Sequence, residues 1–144
     1  MLVQAILKSK SSDGVVTVKP DACIADAAAV LADKRIGTVV VSSDGSVPEG
    51  ILSERDIVRE LAKSGGSCLD KAVSNYMTRK LVTCSSQSNV EEVLTKMTEG
   101  RFRHMPVVED GKLIGIVTLG DAVKAQLALV AMEKDALQGM IMGH

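Results

Sequence analysis

The chain repeats itself, and that repetition constrains its fold more than any other feature. Val16-Thr17-Val18, followed by Ile24 and Ala28, recurs 66 residues on as Val82-Thr83 followed by Val90 and Leu94. At the same spacing Arg35-Ile36-Gly37-Thr38-Val39-Val40-Val41 corresponds to Arg101-Phe102-Arg103-His104-Met105-Pro106-Val107, and Asp44-Gly45 to Asp110-Gly111. From Gly50-Ile51-Leu52-Ser53-Glu54-Arg55-Asp56 to Gly115-Ile116-Val117-Thr118-Leu119-Gly120-Asp121 the spacing falls to 65, because Ser46-Val47-Pro48-Glu49 is one residue longer than Lys112-Leu113-Ile114. The 144 residues are therefore about two copies of one unit, and one hairpin loop absorbs the slip.

Within each copy the hydrophobic period changes in the same order. A short β-rich run (residues 15–18 and 81–83) precedes a helix of period 3.6 carried by Ile24, Ala28 and Leu31 or by Val90, Leu94 and Met97. Asp21 and Ser88 stand where caps are expected. The apolar run 38–41, the turn Ser43-Asp44-Gly45 and Gly50-Ile51-Leu52 then read as a β-hairpin, as do Val107-Val108, Asp110-Gly111 and residues 113–117. A second helix follows each hairpin, over 54–63 and 120–131. The expected fold is α/β (α+β), two β-α-β-β-α repeats. A small sheet with helices on one face leaves its other face open, so the two copies should pack as a pseudo-two-fold pair. Ser64-Gly65-Gly66-Ser67 reads as the linker. The expected units are 1–66, the first repeat with its lead-in, 67–127, the second, and 128–144, a C-terminal helical extension. In that extension Leu127, Val130, Leu137 and Ile141 make one apolar stripe within the run 126–142, suited to packing in cis or to a dimer contact.

Composition narrows the functional classes. Hydrophobic residues make up 46% of the chain and charged residues 24%, with Tyr76 and Phe102 as the only aromatics, so an aliphatic core is expected. Seventeen basic and eighteen acidic residues are interleaved, which gives no field of one sign to hold nucleic acid. Cys23, Cys68 and Cys84 are odd in number and widely spaced, and read as reduced thiols rather than metal ligands. No apolar run approaches the roughly 20 residues of a spanning helix, and the short apolar N-terminus has its lysine after the run, unlike a signal peptide. A soluble, cytoplasmic protein is expected, with no membrane partner and no metal.

The most informative chemical pattern is a Ser or Thr at a strand end with an Asp three residues later, Ser53 with Asp56 and Thr118 with Asp121. It brings a hydroxyl and a carboxylate to one sheet edge at a helix start. A carboxylate accepts hydrogen bonds from the vicinal hydroxyls of a ribose, and a helix start offers N–H groups to an anion. The plainer reading is that Asp56 and Asp121 are helix-start charges with Ser53 and Thr118 as caps.

Two strand–helix–strand–strand–helix units, each with Gly-hydrophobic-x-Ser/Thr-x-x-Asp closing its hairpin, resemble the tandem cystathionine-β-synthase-type (CBS) repeat of IMP dehydrogenase, AMP-activated protein kinase and chloride channels. Met77-Thr78, Arg101-Phe102-Arg103-His104-Met105-Pro106-Val107 and Thr118 with Asp121 fit the pattern, and the likeness covers residues 6–127. The resemblance implies reversible binding of an adenosine-containing ligand (AMP, ADP, ATP, NAD or S-adenosylmethionine) between the repeats, regulation of a partner protein, homodimers, and no catalytic cofactor. It implies one site from Thr78, Phe102, Arg103, His104, Met105 and Pro106 with Ile51, Ser53 and Asp56. The other site would use Lys8, Ile36, Gly37 and Thr38 with Ile116, Thr118 and Asp121, where matching Lys8 to Thr78 treats residues 11–14 as an insertion. Arg55 beside Asp56, with Arg103 and His104 opposite, concentrates phosphate-binding cations on the first site.

An enzyme is not expected. His104 has no nucleophile at motif distance, no nucleophile elbow, HExxH or phosphate-binding loop occurs, and Cys84 beside a strand reads as a small buried thiol. Two other readings remain, a structural dimerisation module with degenerate clefts and a hydrolase of the bound nucleotide.

Overall fold

The computed structural model describes residues 1–10 and 14–141. In chain order the elements are α1 (Val3–Ser9), β1 (Thr17–Val18), α2 (Ile24–Lys34), β2 (Thr38–Val41), β3 (Gly50–Ser53), α3 (Glu54–Ser64), α4 (Val90–Gly100), β4 (His104–Glu109), β5 (Lys112–Thr118) and α5 (Leu119–Ile141). Two 3₁₀ turns, Gly65–Asp70 and Val73–Asn75, join the halves, so the expected glycine linker is already helical.

Each half is the anticipated unit. In the first, β1 runs parallel to β2, and β2 pairs antiparallel with β3, Thr38 opposite Ser53. In the second, β4 and β5 pair antiparallel with His104 opposite Thr118, and Cys84 bridges to Val107 in parallel. The strand expected over 81–83 is absent. That segment lies open along the rim of a cleft, and only the Cys84 N–H and C=O are taken up, by Pro106 and Val108. The caps also differ from expectation. The Asn89 side chain, not Ser88, accepts from the Glu91 N–H at 2.8 Å, while Ser88 Oγ accepts from the Ser85 N–H. At α2 the capping position is Cys23, with no side-chain bond, and Asp21 lies outside it. Both helices end in an arginine of left-handed conformation, Arg35 (φ 54°) and Arg101 (φ 56°), and the next N–H, of Ile36 or Phe102, donates five residues back to Leu31 or Met97. This closing turn directs each chain into its hairpin.

The buried residues form two clusters, and each is completed from the other half of the sequence. Val18, Ile24, Ala27, Leu31, Val39, Val41, Leu52 and Ile57 pack with Val73 and Met77 from the segment before the second repeat. Val90, Val93, Met97, Met105, Val107 and Val117 pack with Val3 and Ile6 of α1. The lead-in therefore belongs structurally to the second repeat rather than the first. Matching backbone bonds fasten the crossings: Ile24 N–H to Lys71 O and Val73 N–H to Ala22 O on one side, Val90 N–H to Met1 O and Val3 N–H to Ser88 O on the other. On β2, Val39 and Val41 face their own cluster, so alternation puts Thr38 and Val40 on the opposite face, where Thr38 reaches His104 of the second repeat. The open sheet faces do meet.

The final helix and the expected extension are one element, α5, of 23 residues and about 35 Å. Ala122 is its one buried residue, and Leu127, Val130, Leu137 and Ile141 are exposed. Met142, the end of that run, and residues 11–13 of the expected insertion lie outside the described residues.

Glycine is required where the crossings come closest. A Cβ at Gly50 would sit 2.5 Å from Met77 Sδ and 3.1 Å from the Thr78 carbonyl, and one at Gly115 would sit 2.6 Å from a Leu7 methyl. Gly50→Ala is expected to destabilise the fold by about 1–3 kcal/mol, because the buried Met77 side chain must be displaced and the Thr78 carbonyl must give way slightly. Urea unfolding of the two proteins checks it; an unchanged midpoint would show that the crossing strand is not held at this distance.

Candidate functional site

Two clefts lie between the repeats, related by the internal symmetry. The first has a volume of about 690 Å³ and the second about 600 Å³, within the roughly 300–1,000 Å³ range of small-molecule sites. They share Gly37, Thr38 and His104 as a common wall, and Thr38 Oγ1 and His104 Nδ1 are 3.0 Å apart across it.

Each cleft has a helix start at one end. Ser53 Oγ accepts from the Asp56 N–H at 3.2 Å, and Asp56 Oδ2 accepts from the Ser53 N–H at 2.9 Å. Thr118 and Asp121 make the same reciprocal pair, both bonds at 3.0 Å. The capping reading of these residues is therefore correct, yet it does not consume the carboxylates. A carboxylate has about four lone-pair sites, and the cap uses one. Asp56 Oδ1 has only Arg59 Nη1 near it, at 3.7 Å. The Glu54 N–H donates to Gly37 O, and the Asp56 N–H to Ser53, so among the described residues the Arg55 N–H is the open donor of that helix start.

The first cleft gathers the predicted residues Ile51, Ser53, Arg55, Asp56, Thr78, Phe102, Arg103, His104 and Pro106. Thr78 is positioned by pairing with the edge of β3, its N–H to Ile51 O at 2.9 Å and its C=O taking the Ile51 N–H at 3.0 Å. Met105 is an exception. It alternates inward from β4 and is fully buried in the core, so it supports the cleft wall without facing it. Arg59, Lys80 and Arg101 also line this cleft, as does Glu54. Arg59 stands one turn after Arg55 on α3, a spacing that puts both on one helix face. Lys80 stands on the segment misread as leading into a strand. With Arg55 and Arg103 they give five permanent cations against Glu54 and Asp56.

The second cleft is lined by the predicted Ile36, Gly37, Thr38, Ile116 and Thr118, with Asp121 reached through Lys10. Lys8 is not there. It falls in the last turn of α1 and is exposed, because the chain becomes extended only at Lys10. Lys10 takes the place instead, its Nζ donating to Asp121 Oδ2 at 2.8 Å and to Ile116 O at 2.9 Å. Arg35 is the other cation of this cleft.

Burial raises the Asp121 carboxyl, but the bonds from Lys10 and Thr118 outweigh it and hold the group below its ordinary 3.8. Burial lowers His104 below 6.5, assisted by Lys10 and Arg103 and opposed by Asp121 and Glu54. Cys84 is pushed up to about 11 by burial, which leaves it a thiol rather than a nucleophile. Among the described residues no group of His, Cys, Asp and Glu could hold a metal ion, and no helix is long and apolar enough to cross a membrane.

The sequence of the CBS domain family matches this chain twice, over residues 7–63 and 73–128. A CBS-domain containing protein from Agrobacterium tumefaciens superposes with a TM-score of 0.82 and 45% identity, covering 88% of this chain and 99% of that one. A CBS domain pair in complex with 5′-methylthioadenosine and S-adenosyl-L-methionine superposes at 0.77 with 26% identity, covering 89% and 97%. A CBS domain protein from Pyrobaculum aerophilum complexed with AMP superposes at 0.76 with 26% identity, covering 90% and 99%.

Because His104 has a depressed pKa in the folded state, the unfolded chain takes up its proton first as pH falls. Stability is then expected to decline below about pH 6.5, with the fall attenuated in His104→Gln. Thermal melts between pH 7.5 and 5 check this, and identical pH profiles for both proteins would refute it.

Proposed function

Because the chain belongs to the CBS domain family, we propose that it is a regulatory module that reversibly binds an adenosine-containing ligand between its repeats. The observation that carries this is the first cleft, where the uncommitted oxygen of Asp56 stands across a cavity of about 690 Å³ from Arg103 and His104. Asp56 suits the ribose diol, Thr78, Phe102 and Pro106 surround the base, and the Arg55 N–H with the flanking cations faces the phosphate. The complexes of related domain pairs with AMP and with S-adenosylmethionine support an adenosyl ligand. The five cations favour a phosphorylated one, in the series AMP, ADP, ATP and NAD, over a sulfonium.

Binding is the activity in this reading. Regulation follows if ligand affinity differs between two states of the module or between free and partner-bound module. The exposed apolar stripe of α5 supports homodimerisation, and the three free cysteines suit the reducing cytoplasm.

Asp56→Ala is expected to weaken AMP binding by about 1.5–3 kcal/mol, the worth of a hydrogen bond to a charged group. Calorimetry on folded protein decides it, and unchanged affinity would remove Asp56 from the site. Arg103→Ala is expected to cost more affinity for ATP than for AMP, with the difference shrinking as salt is raised. Equal, salt-independent losses would mean that Arg103 serves packing.

A further inference from the structure

The two clefts are built on the same repeat but differ at one strand edge. In the first repeat the edge of β3 at Ile51 is completed by the backbone of Thr78, which runs extended beside it. In the second repeat the corresponding chain is still coiled as α1, and among the described residues no lead-in backbone pairs with the edge of β5 at Ile116. The Ile116 carbonyl is satisfied by the Lys10 ammonium, and the same ammonium is bonded to Asp121.

That contact changes what Asp121 can accept. At Asp56 the cap takes one site of Oδ2 and leaves Oδ1 without a hydrogen bond, so one oxygen can meet each hydroxyl of a diol. At Asp121 the Thr118 N–H and Lys10 Nζ both bond to Oδ2. Among the described residues only Oδ1 is left without a bond, and the ammonium bridges the strand edge and the helix start. The side chains of Lys10 and Asp121 are 27% and 25% exposed, enough shielding to make the pair more than a screened surface contact. A ribose arriving there must break two charge-assisted bonds to obtain the geometry that Asp56 offers at once.

We propose that Lys10 is an internal occupant of the second cleft, which closes it to a ribose and limits the chain to one adenosyl ligand, held in the first. This rests on the reading of the chain as an adenosyl-binding module. The Lys10 side chain is then the specificity element that makes two symmetric clefts unequal.

The test is calorimetric stoichiometry with AMP on the whole chain. Wild type is expected to bind one AMP, at a site that Asp56→Ala weakens. Lys10→Met, which keeps the aliphatic stem, is expected to bind two, the second site gaining at least tenfold in affinity and disappearing again on adding Asp121→Ala. Lys10→Gln provides the same comparison should the methionine variant melt early. Two AMP per wild-type chain, or a single site in both Lys10 variants with wild-type melting curves, overturns the proposal while leaving the adenosyl reading intact. Absence of AMP, ATP and S-adenosylmethionine binding in every protein overturns the adenosyl reading itself, and this proposal with it.

Discussion

The close crossing of each lead-in over the opposite repeat is the constraint on which the rest of the structure depends. Met77 lies against Gly50 and Leu7 against Gly115, and in neither place is there room for a Cβ. A repeat of five short elements has too little apolar surface to close its own core. Here each half borrows what it lacks, Val73 and Met77 for the first and Val3 and Ile6 for the second. Neither repeat can be excised without taking part of the other's core, so the pair folds as one unit. The exchange also fixes the distance between the two sheets, and with it the width of both clefts.

Function is layered onto a structural device that would be needed anyway. A helix that starts at the end of a strand must satisfy its first N–H groups, and Ser53 with Asp56, or Thr118 with Asp121, does so reciprocally. The same geometry leaves a carboxylate oxygen facing the crevice between repeats. Capping therefore does not exclude the proposed ligand recognition, because the lone pairs of one carboxylate suffice for both.

Most of the architecture was legible because it rests on local chemistry written twice. The hairpins follow from Asp-Gly turns between apolar runs, and the helices from a 3.6 period. What was lost is non-local. Residues 81–83 have the composition of a strand, but β4 receives only Cys84 beside it, and the remainder forms the rim of the first cleft. Asn89 rather than Ser88 caps α4 because Ser88 is engaged by the Ser85 turn. In the site, alternation along β4 could have warned that Met105, between His104 and Pro106, points into the core. Matching Lys8 to Thr78, with residues 11–14 as an insertion, assumes that the two lead-ins share one conformation. Because one lead-in is helical and the other extended, the side chain that reaches Asp121 comes two residues later.

That single conformational difference propagates. An extended Thr78 supplies backbone to its sheet edge and leaves Asp56 Oδ1 without a hydrogen bond, whereas after the helical α1 the Lys10 ammonium bonds the edge carbonyl of Ile116 and Asp121 together. The clefts nonetheless remain in electrostatic contact. His104 stands in their common wall, hydrogen-bonded to its symmetry counterpart Thr38, and feels Glu54 and Arg103 from one side and Lys10 and Asp121 from the other. A phosphate entering beside Arg103 changes the field at that imidazole, and the same imidazole senses whether Lys10 remains seated. If a ligand occupies the first cleft and Lys10 the second, as proposed, their common wall is the physical route by which one could affect the other. That route runs through the three residues, Gly37, Thr38 and His104, that both clefts share.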